Sequence, residues 1–379
     1  MKDKKTPIYF LAVMVWFGFH CGAGFASGAQ VKLYAAKYGF YGLAVPFIAW
    51  AINCVFMYIV AEYSRLIKAK SYRDVGVSIY WDNPVVGRIA LLLWDILIFM
   101  SSITLLGSCV AGFGAQLNQL FGMPYWIGCA FFIIAMVLLL SFGKDIMGRL
   151  GKMSMPMVVM FFIVSIVGIF MGFGHLKEAM TTELGAPIVE SFNKGMLFKS
   201  GLTYGLVQLG SFQALTVMAG KFESHSDTVK FILLGFLINC GALVLSYLSL
   251  MAYYPDVLET SLPSLGIIQQ LSAGQVILMI MYNAVLILAY ITTAGGMASG
   301  AQARYMPLVG KKISNETVCR VVIVVFFFTA ATALSTLGLD GILTTINGIN
   351  AYCRLRIWYV PVLILGPLAI HRVRKAQRQ

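Results

Sequence analysis

About ten times along its 379 residues the chain turns apolar for the length a helix needs to cross a bilayer. A window of about 19 residues places these runs at 7–37, 41–67, 88–116, 124–143, 153–174, 196–221, 228–254, 274–305, 317–337 and 353–371. About 20 residues at a helical rise span a hydrocarbon core some 30 Å thick. Charged residues are 11% of the chain and hydrophobic ones 59%, where a soluble domain carries about 25% charged. So few charges cannot cover a water-facing surface, and most of the chain has lipid as its solvent. Backbone N–H and C=O groups in lipid must be satisfied internally. The expected class is an all-α membrane protein with about ten transmembrane helices. Segment 341–352 is a shorter apolar stretch, and it reads as a short outer helix leading into the tenth span.

The loops carry a charge bias. Of 28 Lys and Arg, 21 fall in alternate loops or at the termini, among them Arg65, Lys68, Lys70, Arg73, Lys311, Lys312, Arg372 and Arg374. The opposite loops hold only Lys177, Lys194 and Lys199, and Lys32, Lys37, Arg354 and Arg356 lie at or inside span ends. By the positive-inside rule both termini are cytoplasmic and the span count is even. This describes a multi-pass protein of the bacterial plasma (inner) membrane, with the lipid bilayer as its first partner. The net charge of +13 is loop charge on one side, not a basic face interleaved with aromatics, so nucleic acid is not a partner. The first run lacks a small-residue cleavage site and reads as a retained span.

Chemistry is sparse. The seven cysteines sit mostly in apolar runs with no metal or redox spacing. The four histidines are far apart, and no HExxH, GxSxG or P-loop lysine occurs. The chain is expected not to be an enzyme, to hold no cofactor and not to hydrolyse ATP.

The informative features are two glycine-punctuated spans. Span one reads Cys21-Gly22-Ala23-Gly24-Phe25-Ala26-Ser27-Gly28 near its middle. Each glycine weakens a helix by about 1 kcal/mol relative to alanine, and unpaired backbone inside a membrane is tolerated only where it is buried or lines a cavity. Freed amides can hold an anionic group and freed carbonyls a cation. The alternative is close packing by small residues. Span six reads Gly205-Leu206-Val207-Gln208-Leu209-Gly210-Ser211-Phe212-Gln213, and Gly210 follows Gly24 by nearly half the chain. A broken first helix in each of two five-span halves is the pattern of inverted repeats. The halves are 1–174 and 196–379, joined by an outer loop at 175–195. A second outer loop, 255–272, has room for a short lid helix. In span eight Ala289, Thr292 and Thr293 offer a carbonyl and two hydroxyls to a hard cation, although each hydroxyl can also bond back to its own helix. Glu62 and Asp95 lie near the cytoplasmic ends of their spans, where pairing with Lys or Arg in a gate is expected.

The run Gly22-Ala23-Gly24-Phe25-Ala26-Ser27-Gly28-Ala29-Gln30 resembles that of the YkvI-like amino-acid permeases, within the amino acid–polyamine–organocation superfamily. Length and span layout agree more loosely over the rest of the chain. The resemblance implies the five-plus-five inverted-repeat fold of the leucine transporter, with helices one and six broken. Substrate would sit between the breaks, facing spans three and eight. The implied substrate residues are Gly22, Ala23, Gly24, Phe25, Ser27, Gln208, Gly210 and Ser211, with Ser102 and Asn283 from the facing spans. The implied sodium site joins the carbonyls of His20 and Ala23 to Ala289, Thr292 and Thr293. Should coupling use protons instead, His20 is the first suspect. Arg354 and Arg356 depart from the small or apolar residues expected at the start of span ten. They can form an outer gate, with Asp340 within range in sequence. They can also attract an acidic substrate or snorkel to the interface.

These readings imply a secondary transporter: a sodium-coupled symporter of an amino acid or related small zwitterion, with Na+ as coupling ion. Its rivals are a channel or facilitator for a small solute and a membrane sensor that keeps the fold without flux. The sequence leaves substrate and oligomeric state open.

Overall fold

The computed structural model describes residues 6–80, 84–142, 146–260, 262–270 and 274–377. Among them every regular element is helical. Span one is in three pieces, α1 (Ile8–His20), α2 (Ala23–Ala26) and α3 (Ala29–Tyr34). The 3-10 segment Ala36–Leu43 leads into α4 (Ala44–Ile67), followed by the short α5 (Tyr72–Ile79). Then come α6 (Pro84–Phe121), α7 (Tyr125–Phe142), α8 (Ile146–Met171) and α9 (Phe173–Thr181). Span six is α10 (Lys194–Gln208), the 3-10 turn Leu209–Ser211 and α11 (Phe212–Ala219). The chain continues through α12 (His225–Met251), α13 (Pro263–Gln270), α14 (Gln275–Val309) and α15 (Glu316–Ser335). It closes with α16 (Gly338–Gly341), α17 (Asn347–Arg354) and α18 (Val360–Ala376).

Among the described residues seven helical stretches are long and apolar enough to cross a membrane, and Ile8–His20 and Tyr125–Ser141 are shorter apolar helices. The predicted spans match these elements closely at most ends, with two exceptions. The run 7–37 is not one helix, for the reason given below. The run 341–371 is not a short helix plus a span: Gly338–Ala376 is one continuous helical stretch. It absorbs its irregularity in two π-helical segments, Ile342–Ile346 and Leu355–Tyr359. Single-turn π segments of this kind often mark functional positions.

Local sequence sets the helix starts. A reciprocal capping box of Ser224 and Asp227 opens α12, and one of Ser71 and Asp74 opens α5. The Asn315 side chain accepts from the Val318 amide at the head of α15. Burial then sorts helices of similar composition. Ala12 to His20 of α1 are buried all round, so α1 lies at the centre, packed on α8, α12 and α14. The equally apolar α7 leaves Phe131 62% and Ile134 61% exposed, the signature of a helix that faces lipid. The loop 255–272 holds a short helix, α13, tied to span one by the Ser264 amide donating to the Ser27 carbonyl at 3.0 Å.

Candidate functional site

The interruption of span one is built from its glycines. Gly22 adopts an extended backbone (φ −75°, ψ −177°) and ends α1. Gly28 takes φ +83° between α2 and α3, a left-handed conformation that costs glycine nothing and other residues about 1 kcal/mol or more. Span six is interrupted more gently, since Gln208, Ser211 and Phe212 keep helical dihedrals and the chain only tightens into a 3-10 turn. The two interruptions face each other across a narrow cavity. Gly22, Ala23 and Gly24 line it from span one, and Val207, Gln208, Gly210 and Ser211 from span six. Its free volume is only about 20 Å³, the room of one water. Admitting a solute of amino-acid size requires the surrounding helices to part.

Six of the ten expected substrate residues line this cavity: Gly22, Ala23, Gly24, Gln208, Gly210 and Ser211. The other four do not. Phe25 stacks on the His20 ring at 4.0 Å between centroids. Ser27 folds back on its own turn, donating to Gly24 O at 3.2 Å. Ser102 donates to Ile98 O within its helix at 2.8 Å. Asn283 accepts from Gln116 Nε2 at 2.6 Å, away from the cavity. Sequence reasoning missed Phe19, Gln30, Leu105, Ser108 and Asn347, all of which line it. Gln30 also reaches across, its Oε1 accepting from Gln208 Nε2 at 3.3 Å. Nothing local marks Ser108 or Asn347, since their role depends on which helix faces them.

The expected cation site comes together in part. The Thr293 hydroxyl donates to the Gly18 carbonyl at 3.0 Å, so the α1 carbonyl set beside it is that of Gly18, one half-turn before His20. A side chain at Gly22 would lie 3.2 Å from the same hydroxyl. Thr292 donates to Ala289 O at 3.2 Å. A side chain at Gly18 would meet Ser154 Oγ at 2.6 Å and Thr292 Oγ1 at 3.5 Å, which brings a third hydroxyl, from α8, to this spot. Neutral oxygens from two or three helices suit a hard monovalent cation. The Ala23 carbonyl accepts from the Ser27 amide at 3.2 Å.

The His20 ring is fully engaged. Its Nδ1 is 3.1 Å from Asn239 Oδ1 and its Nε2 is 3.0 Å from the Tyr204 hydroxyl. Asn239 donates its own amide to Gly235 O at 2.8 Å, which orients Oδ1 toward the ring. The chain is consistent when neutral: Tyr204 donates to Nε2 and Nδ1–H donates to Asn239. Both ring nitrogens are thus satisfied in the neutral form, and the ring also lines the cavity.

The four expected gate residues separate. Glu62 is fully buried and bound by Arg65 and Arg374 at 2.6 Å each, with His225 at 3.2 Å and the Thr228 hydroxyl at 2.9 Å. Asp95 is bound by Arg73, by Arg304 at 3.1 Å and by the Tyr72 hydroxyl at 2.5 Å. Burial, and then Asp95 itself, push the Tyr72 phenol up, so it stays a donor. Arg356 is exposed and lies 3.4 Å over the Tyr352 ring, as an interfacial arginine does. Arg354 is buried to 2% and faces inward. It does not pair with Asp340, which is exposed.

A helical bundle with two interrupted spans around a small cavity defines a class, the membrane proteins of the leucine-transporter-type fold. MhsT in complex with L-phenylalanine superposes with a TM-score of 0.60 at 12% identity, covering 98% of both chains. The substrate-bound outward-open state of a Na+-coupled sialic acid symporter gives 0.65 at 12%, covering 97% of this chain and 79% of that one. A mutant manganese transporter of Eremococcus coleocola gives 0.59 at 11%, covering 96% and 84%. Identities this low establish the fold alone. No family model matches the chain. Within the class the chain is YkvI-like: it resembles the uncharacterized membrane protein YkvI of Bacillus subtilis (strain 168). The two are 26% identical over 266 residues, which is 69% of this chain and 72% of that protein.

Proposed function

We propose that the chain is a secondary active transporter, a sodium-coupled symporter of an amino acid or related small zwitterion. The observation that carries this reading is the cavity between the interrupted spans, with Thr293 set against the Gly18 carbonyl beside it. Backbone at Gly22, Ala23 and Gly24 would receive the carboxylate, and Ala289, Thr292, Thr293, Gly18 and Ser154 would supply oxygens to Na+. In this reading ten spans form two inverted repeats, 1–174 and 196–379, with both termini in the cytoplasm of a bacterial cell. The fold neighbours are described with an aromatic amino acid, a sialic acid and manganese. Fold therefore does not choose the solute, and the site must.

The test is uptake into proteoliposomes under an imposed inward Na+ gradient. Accumulation above the outside concentration that collapses when the gradient is dissipated supports symport. Equilibration without accumulation would establish a facilitator. Saturable binding with no flux would establish a sensor.

A further inference from the structure

Among the described residues Arg354 is the one buried arginine, 2% exposed. Among the described residues it has no carboxylate within ion-pair distance. The buried Glu62 and the half-buried Asp95 are each already held by two other arginines. Its Nη1 donates to the carbonyls of Leu206 (3.0 Å) and Val207, at the end of α10, and its Nη2 to Ser101 Oγ at 2.7 Å. Nε is buried and unpartnered, so three of the five N–H donors of a guanidinium carry these bonds. Carbonyls at a helix C-terminus and a hydroxyl stabilise a cation without neutralising it. Removing such a charge from water costs several kcal/mol unless an anion answers it.

The charge also lies next to the cavity. Gly210 lines the cavity, and a side chain there would come within 3.1 Å of Arg354 Nη2. Gly210 therefore borders both the cavity and the Arg354 guanidinium. A polar seam gives a second connection. Ser101, Thr104 and Ser108 lie on one face of α6, spaced three and four apart. Arg354, Asn350 and Asn347 lie on one face of α17 at the same spacing, running the other way. Ser101 meets Arg354, and Asn350 Nδ2 donates to Thr104 Oγ1 at 3.1 Å. Ser108 and Asn347 line the cavity.

We infer that Arg354, with Ser101 and the seam leading to Ser108 and Asn347, is an anion subsite of the transport cavity. The solute then carries a second acidic group beyond the carboxylate of its amino-acid moiety: a dicarboxylic amino acid or an equivalent zwitterion of net negative charge. The inference rests on the transporter reading above and names its substrate class.

The experiment compares acid and amide isosteres on the full-length protein: L-glutamate with L-glutamine and L-aspartate with L-asparagine, plus L-leucine. Binding is read by thermal shift and uptake in proteoliposomes, with and without Na+. The acids should bind roughly ten- to a hundredfold more tightly than their amides, the scale of one charge-assisted hydrogen bond. Arg354→Gln should bring the acid-to-amide ratio down toward one, and Arg354→Lys should restore part of it. Should Arg354→Gln fail to fold, the acid-to-amide ratio of the unaltered protein still decides. Amides or leucine binding as well as the acids overturn the subsite and leave the transporter reading intact. An acid preference that survives in folded Arg354→Gln also overturns it, by placing the charge elsewhere. If no amino acid binds or accumulates at all, the transporter reading itself fails and the subsite with it.

Discussion

Thr293 shows how much a single hydroxyl can be asked to do. It touches the α1 carbonyl of Gly18 and sits 3.2 Å from where a side chain on Gly22 would begin. If this oxygen serves Na+, Thr293→Ala should weaken sodium-dependent binding by roughly tenfold, about 1.4 kcal/mol, while Thr293→Ser keeps the oxygen and stays near normal. A titration of thermal shift against NaCl measures both, and equal sodium dependence in the two variants would refute the site. Gly24 tests the other end of the break. A side chain there would press on Gln30 and Leu343 at 2.9 Å, both flexible side chains. Gly24→Val should therefore remain folded and lose ligand binding by bulk. Gly235 is the contrast, because a side chain there would strike the Trp16 ring at 2.4 Å. Gly235→Ala should lower the melting temperature, at an overpacking cost of about 1–3 kcal/mol, with the cavity residues untouched. The glycines that break span one were visible in the sequence because they are dense, and six of the ten residues placed on the cavity line it. Ser108, Asn347 and the inward turn of Arg354 were not visible. Each depends on which helix face opposes it, and a period along one span carries no information about its partner.

At the scale of elements, the two interruptions differ for a physical reason that the sequence did not distinguish. Span one has glycine at an extended position and at a positive φ, so its chain leaves the helix. Span six keeps helical dihedrals, and its first half is clamped. Gly201 and Gly205 let α10 approach α4 so closely that side chains would strike Ile48 at 2.7 Å and the Ala49 carbonyl at 2.7 Å. Asn53 donates to the Gly205 carbonyl at 2.9 Å across the same interface. Small-residue contact is how helices associate where lipid supplies no hydrophobic drive. The run 341–371 misled for a similar reason. Its length fits neither one helix nor two, and π turns, which leave no mark in composition, take up the difference. The lid offers an element-scale prediction. Gly28 combines φ +83° with a contact in which an added side chain would meet Ser264 Oγ at 2.7 Å. Gly28→Ala should strain the α2–α3 junction and lift α13 from Ser27. Ligand should then dissociate several-fold faster, measured by washout of a bound radiolabelled solute, with the association rate little changed. An unchanged dissociation rate would show that α13 does not hold the ligand in.

Across the whole molecule, two carboxylates fasten helices that are distant in sequence. Glu62 joins α4 to α12 through His225 and Thr228, and to α18 through Arg374. Asp95 joins α6 to α5 through Tyr72 and Arg73, and to α14 through Arg304. In the transporter reading both lie toward the cytoplasm, and α4, α6 and α14 all adjoin the interrupted spans, so releasing a fastener should favour opening on that side. The two should differ in strength, because their solvent access differs. The difference lies in the carboxylates: the Glu62 side chain is 0% exposed, with Arg65 at 15%, Arg374 at 42% and His225 at 49%, whereas that of Asp95 is 17% exposed, with Arg73 at 35% and Arg304 at 25%. Breaking a buried pair by removing one partner costs about 3–5 kcal/mol, whereas exposed pairs contribute about 0–1 kcal/mol. Glu62→Gln should therefore lower the melting temperature strongly and Asp95→Asn modestly. Salt separates the pairs within them: from 0.1 M to 1 M the screening length falls from about 10 Å to about 3 Å, which should weaken the Asp95 cluster and the exposed Arg374 and His225 arms of the Glu62 cluster, and leave the shielded Glu62–Arg65 pair least changed. If the fasteners close a gate, Asp95→Asn should still bind solute in detergent yet lose gradient-driven accumulation, because the cavity then leaks to one side. Normal accumulation by a folded Asp95→Asn protein would show that this cluster holds the bundle together without gating it.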